Sequence, residues 1–302
     1  MSTDQQYHEY GMKTSISIVS GPSSQVLAGR IARTLGCHLA DTEFSTFPDG
    51  ERYLRVPGID SCDHVAIVQS TPTDSDYISL LQLIDACDTS DRIDVVIPYF
   101  GYARQDKRFK DGESVSARAL AQAITADRVF TVNIHNPDVL PYFDAPATSI
   151  NAAPVVGEYI ASMKLTDPMI IAPDEGALDL VQSTSENLGI GFDYMEKTRI
   201  SGDEVSIKTK EPDVSGRDVV ILDDIISTGG TIVETTLLLK KNGARRVFAA
   251  CIHPVLVRNA VLRIFAAGVE GIIATDTLDR SVSVVTVAQL IANIFKGETI
   301  KQ

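Results

Sequence analysis

Short, uninterrupted apolar runs alternate with helix-length segments along almost the whole chain, and this alternation leaves few folds open. A run of roughly four to eight apolar residues suits a strand buried on both faces, and such strands belong to parallel sheets covered by helices. Parallel neighbours need a crossover, which the intervening segments are long enough to supply. Strands are expected at Ser15 to Val19, His64 to Gln69, Ile93 to Ile97, Val129 to Val132, Met169 to Ala172, Val219 to Leu222 and Val247 to Cys251. Helices are expected at Gln25 to Leu35, ended by Gly36, and at Tyr77 to Cys87, Ala117 to Ile124, Leu178 to Leu188 and Ile232 to Lys241.

The pattern occurs twice. Ile18-Val19-Ser20-Gly21, followed by a helix ending at Leu35-Gly36, parallels Ile171-Ala172-Pro173-Asp174, followed by a helix ending at Leu188-Gly189, at an offset of about 153 residues. Ile93 to Pro98 and Asp218 to Leu222 extend the correspondence. The expected architecture is two similar α/β domains, residues 1–150 and 151–302, each with a mainly parallel central sheet flanked by helices. The boundary falls near Ile150, where Asn151-Ala152-Ala153-Pro154 opens the next helix, and the last helix, near Val287 to Phe295, is expected to return to the first domain.

Bulk properties narrow the function. A formal charge of −13 argues against a nucleic-acid-binding surface and requires local cations for any anionic substrate. Two clusters supply them, Arg104, Lys107, Arg108 and Lys110 in one and Lys197 with Arg199 in the other. No apolar run approaches the roughly 20 residues of a membrane span, and Met1 to Gly11 has no apolar signal core, so a cytoplasmic protein is expected. Cys37, Cys62, Cys87 and Cys251 have no paired spacing and read as reduced, mostly buried thiols.

The richest segment chemically is Val219 to Thr231, which reads Val-Val-Ile-Leu-Asp-Asp-Ile-Ile-Ser-Thr-Gly-Gly-Thr. An apolar strand ends in two carboxylates, and a loop of small residues then feeds a helix. A phosphate monoester needs several N–H and O–H donors converging from one side, which small residues and a helix N-terminus provide. Ser227, Thr228 and Thr231 add hydroxyls around Gly229 and Gly230. Asp223 and Asp224 beside an anion require something neutral or cationic between, such as ribose hydroxyls or hydrated Mg²⁺. An ordinary strand, turn and N-cap uses the same residue types, but the order here is the one a phosphate site requires. The Gly-Lys-Ser/Thr ending of a Walker loop is missing.

Four other segments carry candidate chemistry. Phe47-Pro48-Asp49-Gly50-Glu51 is a turn between short extended segments; Phe47 offers an apolar face to a flat base, and Asp49 and Glu51 can accept from an amine or ribose hydroxyls. The strand ending at Pro98 leads into Tyr102-Ala103-Arg104-Gln105-Asp106-Lys107, where Arg104 can fork two phosphate oxygens and Gln105 can bond a base or sugar. His135 follows another strand, and Asp174 follows a third, as a second metal ligand or a ribose contact. Lys197 and Arg199 sit at i and i+2 on an extended segment before an expected mobile hairpin at Ser201-Gly202-Asp203-Glu204, an arrangement suited to gripping one developing anion.

Taken in order, these motifs resemble the ribose-phosphate pyrophosphokinases (phosphoribosyl pyrophosphate synthetases), and most of all their archaeal branch. The similarity runs from about Ser15 to Ile294. The family's Phe-x-Asp-x-Glu pattern is similar to Phe47 to Glu51, and its Tyr-Ala-Arg-Gln-Asp-Lys segment to Tyr102 to Lys107. Ser-Thr-Gly-Gly-Thr at Ser227 to Thr231 replaces the bacterial Asp-Thr-x-Gly-Thr form, and His135-Asn136-Pro137-Asp138 stands where many members carry His-Ala-x-Gln.

The resemblance implies two phosphoribosyltransferase-like domains and transfer of diphosphate from Mg-ATP to the 1-hydroxyl of ribose 5-phosphate, releasing AMP. It implies ATP contacts at Phe47, Asp49, Gly50, Glu51, Arg104 and Gln105, Mg²⁺ at His135 and Asp174, and catalysis by Lys197 and Arg199. Ribose 5-phosphate would meet Arg199, Asp223, Asp224 and Ser227 to Thr231. It also implies a homo-oligomer in which a neighbouring subunit completes the ATP site. A phosphoribosyltransferase or a non-catalytic regulatory homologue are the competing expectations.

Overall fold

The structure is a computed structural model that describes residues 16–186, 188–195 and 212–297. It forms two compact units, one running to Ile150 and taking up the chain again from Val287, the other comprising Asn151–Thr286.

The first unit contains β1 (Ile16–Ser20), α1 (Gln25–Leu35), β2 (His38–Leu39), β3 (Glu43–Thr46), β4 (Arg52–Arg55), β5 (His64–Val68), α2 (Asp74–Ala86), β6 (Arg92–Ile97), α3 (Ser116–Ala121), β7 (Arg128–Val132) and β8 (Ala147–Ile150). Six strands form one wholly parallel sheet in the order β2-β1-β5-β6-β7-β8, while β3 and β4 make a separate antiparallel hairpin. Val65, Ala66, Ile67 and Val68 are fully buried, which is why their run shows no polar alternation. Helix α1 buries Leu27, Ala28, Ile31, Ala32 and Leu35 along one stripe, and Gly36 ends it at φ 65°.

The second unit contains α4 (Ala153–Ser162), β9 (Met169–Ala172), α5 (Leu178–Ser185), β10 (Gly191–Tyr194), β11 (Asp218–Ile225), α6 (Gly230–Lys241), β12 (Arg246–His253), α7 (Ala260–Ala266), β13 (Ile272–Thr275) and β14 (Ser283–Val285). Its sheet is also wholly parallel, in the order β10-β9-β11-β12-β13-β14. The remaining helix, α8 (Ala288–Phe295), belongs to the first unit, where it packs on α1 and sets the Phe295 ring 6.1 Å from that of Phe130.

The two sheets share one strand order, so the α/β class and the duplicated parallel architecture read from sequence hold. The detailed correspondence needs correction. By sheet position β5 matches β11 and β6 matches β12, with first residues 64 and 218, and 92 and 246, 154 apart in each case. Pairing Ile93 to Pro98 with Asp218 to Leu222 was therefore one strand out of step, because adjacent buried strands look alike as apolar runs. Several boundaries also move. Helix α2 begins at Asp74, capped by the Thr73 hydroxyl, α3 ends at Ala121, and α5 ends at Ser185. Cys87 and Cys251 are buried, whereas Cys37 and Cys62 are partly exposed. No helix among the described residues is long and apolar enough to cross a membrane.

Candidate active site

In the second sheet the chain order reverses between β9 and β11, and the crevice at the carboxyl ends of such strands is where open α/β sheets take ligands. Three carboxylates meet this edge. Strand β11 runs on through Asp223 and Asp224 to Ile225, so both acids stand within its last turn of pleat rather than after it. Asp174 follows β9 and caps a short 3-10 turn by accepting from the Gly176 N–H at 3.0 Å.

Asp223 bears the electrostatic strain of this arrangement. Burial first, then the charges of Asp224 and Asp174, push its carboxyl up from 3.8 to about 7, although it accepts the Asp224 N–H at 2.9 Å. A carboxylate so placed binds cations and hydroxyl donors more favourably than it binds nothing.

The loop after β11 is built to leave N–H groups unused. Helix α6 starts at Gly230, with Gly229 as N-cap at φ 74° and no side-chain cap, so the ordinary reading of this loop as a Ser/Thr N-cap fails. A Cβ on Gly229 would also lie 3.0 Å from Ile264, which makes glycine doubly necessary there. The carbonyls of Ile226 and Ser227 accept from the N–H groups of Leu256 (2.9 Å) and Val257 (3.1 Å), and the Thr228 carbonyl from Arg263 Nη1 (3.1 Å). Among the described residues no backbone carbonyl takes the N–H groups of Ser227 to Ile232. Peptides whose oxygens are held to one side present their N–H groups to the other, beside the hydroxyls of Ser227, Thr228 and Thr231.

The corresponding crevice of the first unit, between β1 and β5, is stitched shut by the protein itself. Gln69 Oε1 accepts from the Ser23 N–H at 3.2 Å, Ser24 Oγ accepts from the Ser70 N–H at 2.9 Å, and a Cβ on Gly21 would fall 2.0 Å from Gln69. The α2 N-terminus is capped by Thr73 and carries Asp74 and Asp76 in its first turn, which repel an anion.

The first unit instead presents two polar loops. Gly101 anchors the Arg104 loop by donating to Thr71 Oγ1 at 3.0 Å, where a Cβ would lie 2.1 Å from the Thr71 carbonyl. Arg104 is exposed and has no carboxylate partner among the described residues, while Gln105 Oε1 accepts from the Ser116 hydroxyl at 2.5 Å. Asn136 holds this loop to the β7 end by donating to Asp106 at 2.5 Å, and that bond is the main cause of a lowered Asp106 pKa. Asn136 also caps the 3-10 turn that follows it, so the His135-Asn136-Pro137-Asp138 departure has a structural role.

Phe47, half exposed, stands edge-on to Tyr53 at 6.2 Å on the β3–β4 hairpin. Glu51 N–H donates to Asp49 Oδ1 at 3.2 Å, and Gly50 turns the chain at φ 97°. That hairpin rests on α2 through Arg52 Nε and Ser75 Oγ, 2.7 Å apart, and no hydrogen bond among the described residues joins it to Arg104 or Gln105. Lys197 and Arg199, and the hairpin expected after them, lie outside the described residues; the strand before them, β10, ends with Tyr194 paired to Ala172. The described residues hold no group of three or more His, Cys, Asp or Glu side chains able to cage a metal ion. Sequence reading missed the segment behind the Ser227 to Thr231 loop and the Asn136–Asp106 tie, because both are long-range contacts.

Comparison with known proteins adds to this geometry. Residues 16–127 match the N-terminal domain of ribose phosphate pyrophosphokinase, and residues 140–264 match the phosphoribosyl transferase domain. A ribose-phosphate pyrophosphokinase of Methanosarcina acetivorans is 55% identical over 281 residues, covering 93% of this chain and 99% of that protein. Ribose-phosphate pyrophosphokinase 2 of Archaeoglobus fulgidus is 43% identical over 279 residues, covering 92% and 99%. The crystal structure of phosphoribosylpyrophosphate synthetase from Mycobacterium smegmatis superposes with a TM-score of 0.80 at 28% identity, over 93% of this chain and 98% of that one. Identity of this extent along nearly the full length of both partners, with the duplicated sheet order and the loop at Ser227 to Thr231, places the chain in the ribose-phosphate pyrophosphokinase family.

Proposed function

We propose that this enzyme transfers the intact diphosphate group of Mg-ATP to the 1-hydroxyl of ribose 5-phosphate, giving 5-phospho-α-D-ribose 1-diphosphate and AMP. The observation that carries the reading is the α6 N-terminus, whose Gly229 leaves the N–H groups uncapped while Ser227, Thr228 and Thr231 stand beside them. A monoester phosphate is the ligand that such a cradle satisfies. Asp223 and Asp224 would accept from the ribose hydroxyls, whose donors favour the ionised form of Asp223. The name shared by the relatives supports the same substrate and product class.

In the reaction O1 of the sugar attacks the β-phosphorus in line. The O1–Pβ bond forms, the bond from Pβ to the oxygen bridging the α-phosphorus breaks with its electrons going to AMP, and the O1 proton passes to solvent. Arg104, Lys197 and Arg199 supply positive charge to the transferred group and the departing AMP. Phe47 would face the adenine, with Asp49, Gly50 and Glu51 around it, and Gln105 would hydrogen-bond base or sugar.

His135 and Asp174 are the proposed Mg²⁺ ligands. The Asp174 carboxylate suits this hard ion, which is held by one or two carboxylates together with substrate phosphates rather than by an all-protein cage. When bound, Mg²⁺ offsets charge on the triphosphate. The half-exposed Phe47 at the tip of a small hairpin supports a homo-oligomer in which a neighbouring subunit supplies that turn. The cytoplasm is the proposed location.

Phosphorus NMR of the full-length protein with ATP, Mg²⁺ and ribose 5-phosphate tests the proposal. Equal amounts of AMP and phosphoribosyl diphosphate are expected. Formation of ADP, or no turnover dependent on ribose 5-phosphate, would overturn it.

A further inference from the structure

The segment behind the phosphate loop carries more than a connection from β12 to α7. Three of its four residues from Leu256 to Asn259 adopt left-handed backbone without being glycine: Leu256 at φ 50°, Arg258 at φ 53° and Asn259 at φ 59°. Such conformations are disfavoured for residues with a Cβ, and most of all for a bulky one, so a run of them persists only where surrounding contacts over-determine the shape. Several of those contacts are made with the loop in front. Leu256 and Val257 donate their N–H groups to the carbonyls of Ile226 and Ser227, Arg263 donates to that of Thr228, and Ile264 and Ala260 press on Gly229. At the base, the His253 carbonyl accepts from the Ile226 N–H at 3.2 Å and from the Val255 N–H at 3.0 Å. The His253 ring is tied to Thr277 at 3.0 Å, and Thr277 and Thr275 both donate to the Ile252 carbonyl.

From this we infer that His253 to Ile264 is a template that sets the peptide planes of the phosphate loop, and that Arg263 is a positioning residue for ribose 5-phosphate which never touches it. Three consecutive carbonyls, Ile226, Ser227 and Thr228, are drawn to the template side, which turns the following N–H groups toward the anion. Arg263 supplies the only side-chain donor among the three bonds, from an exposed position on α7. Its removal lets the Thr228 peptide rotate and costs the anion a donor, without removing any group that contacts substrate. The inference rests on Ser227 to Thr231 being the monoester cradle.

The test uses the full-length enzyme as wild type, Arg263→Met and Arg263→Lys, with steady-state kinetics in each substrate, calorimetric titration of ribose 5-phosphate, and thermal melting. Arg263→Met is expected to raise KM and Kd for ribose 5-phosphate about tenfold, leaving KM for ATP and the melting temperature nearly unchanged. Arg263→Lys, which keeps a donor, should recover most of the loss. An unchanged KM for ribose 5-phosphate in Arg263→Met, a parallel rise in both KM values, or no recovery by lysine would each overturn the template role. If wild type itself neither binds ribose 5-phosphate nor turns it over, the cradle reading falls, and the inference with it.

Discussion

Replacing Asp223 by Asn should stabilise the unliganded protein while abolishing its affinity for ribose 5-phosphate. The carboxyl ionises at about 7 instead of 3.8 because burial and the charges of Asp224 and Asp174 oppose a third negative charge. A difference of about three pKa units corresponds to a ceiling of roughly 4 kcal/mol against the ionised form. Relaxation and water entry lower the ceiling to about 1–3 kcal/mol for a real site. The sign follows from the raised folded-state pKa. The folded protein holds this proton more tightly than the unfolded chain, so the favourable term is complete below the unfolded pKa and disappears as pH rises through about 7.

Asn mimics the protonated form at every pH. Its advantage over wild type is therefore expected in full at about pH 8, should be clearly smaller at about pH 5, and should vanish only below the unfolded carboxylate pKa of about 3.9. Differential scanning calorimetry of both proteins, without Mg²⁺ or substrate, gives the comparison; the melting temperature should differ by roughly 2–4 °C per kcal/mol at the higher pH. Equal stability at both pH values, or a stabilisation independent of pH, would refute the account of a strained, ligand-awaiting carboxylate. Titration of ribose 5-phosphate into the same variant should show lost affinity, since Asn replaces one acceptor by a donor.

Other expectations follow from the same contacts. Gly229→Ala should lose about 1–2 kcal/mol of stability and most ribose 5-phosphate binding, because the left-handed backbone and the 3.0 Å approach to Ile264 both exclude a Cβ; denaturant melts and titration check this. Asn136→Asp should raise KM for ATP with little change for ribose 5-phosphate, as a second carboxylate facing Asp106 pushes the Arg104 loop away. Asp218, fully buried with Arg245, Arg246 and the Thr166 N–H, has its pKa held well below the usual range, first by Arg246. It contributes stability above the unfolded carboxylate pKa that is lost as pH falls toward the folded one, and Asp218→Asn should cost about 1.5–3 kcal/mol near neutral pH, measured by urea unfolding. Lys197→Ala should slow turnover by a large factor with ATP affinity nearly intact, seen by comparing kcat with nucleotide Kd.

The fold was legible where one physical cause controlled the residues. Val65 to Val68 and Met169 to Ala172 read as strands because parallel strands buried on both faces admit only apolar side chains. The start of α2 was hidden because Asp74, Ser75 and Asp76 fill its first turn, and only the Thr73 cap announces it. The end of β11 was hidden for the opposite reason: its last residues include two acids that serve the crevice rather than the core. At the candidate site, residue types and order pointed to the family and singled out Ser227 to Thr231 as the segment proposed to hold phosphate. The template behind the loop left no such mark, since backbone groups and left-handed conformations at ordinary residues do most of its work.

The most direct test of the central claim, that uncapped N–H groups at the start of α6 hold the sugar phosphate, is amide NMR of the labelled protein titrated with ribose 5-phosphate and, separately, with ribose. The account predicts large downfield shifts confined to the amides of Ser227 to Thr231 with ribose 5-phosphate, and none of that size with ribose. Comparable shifts with both sugars, or shifts that spare these five amides, would contradict it.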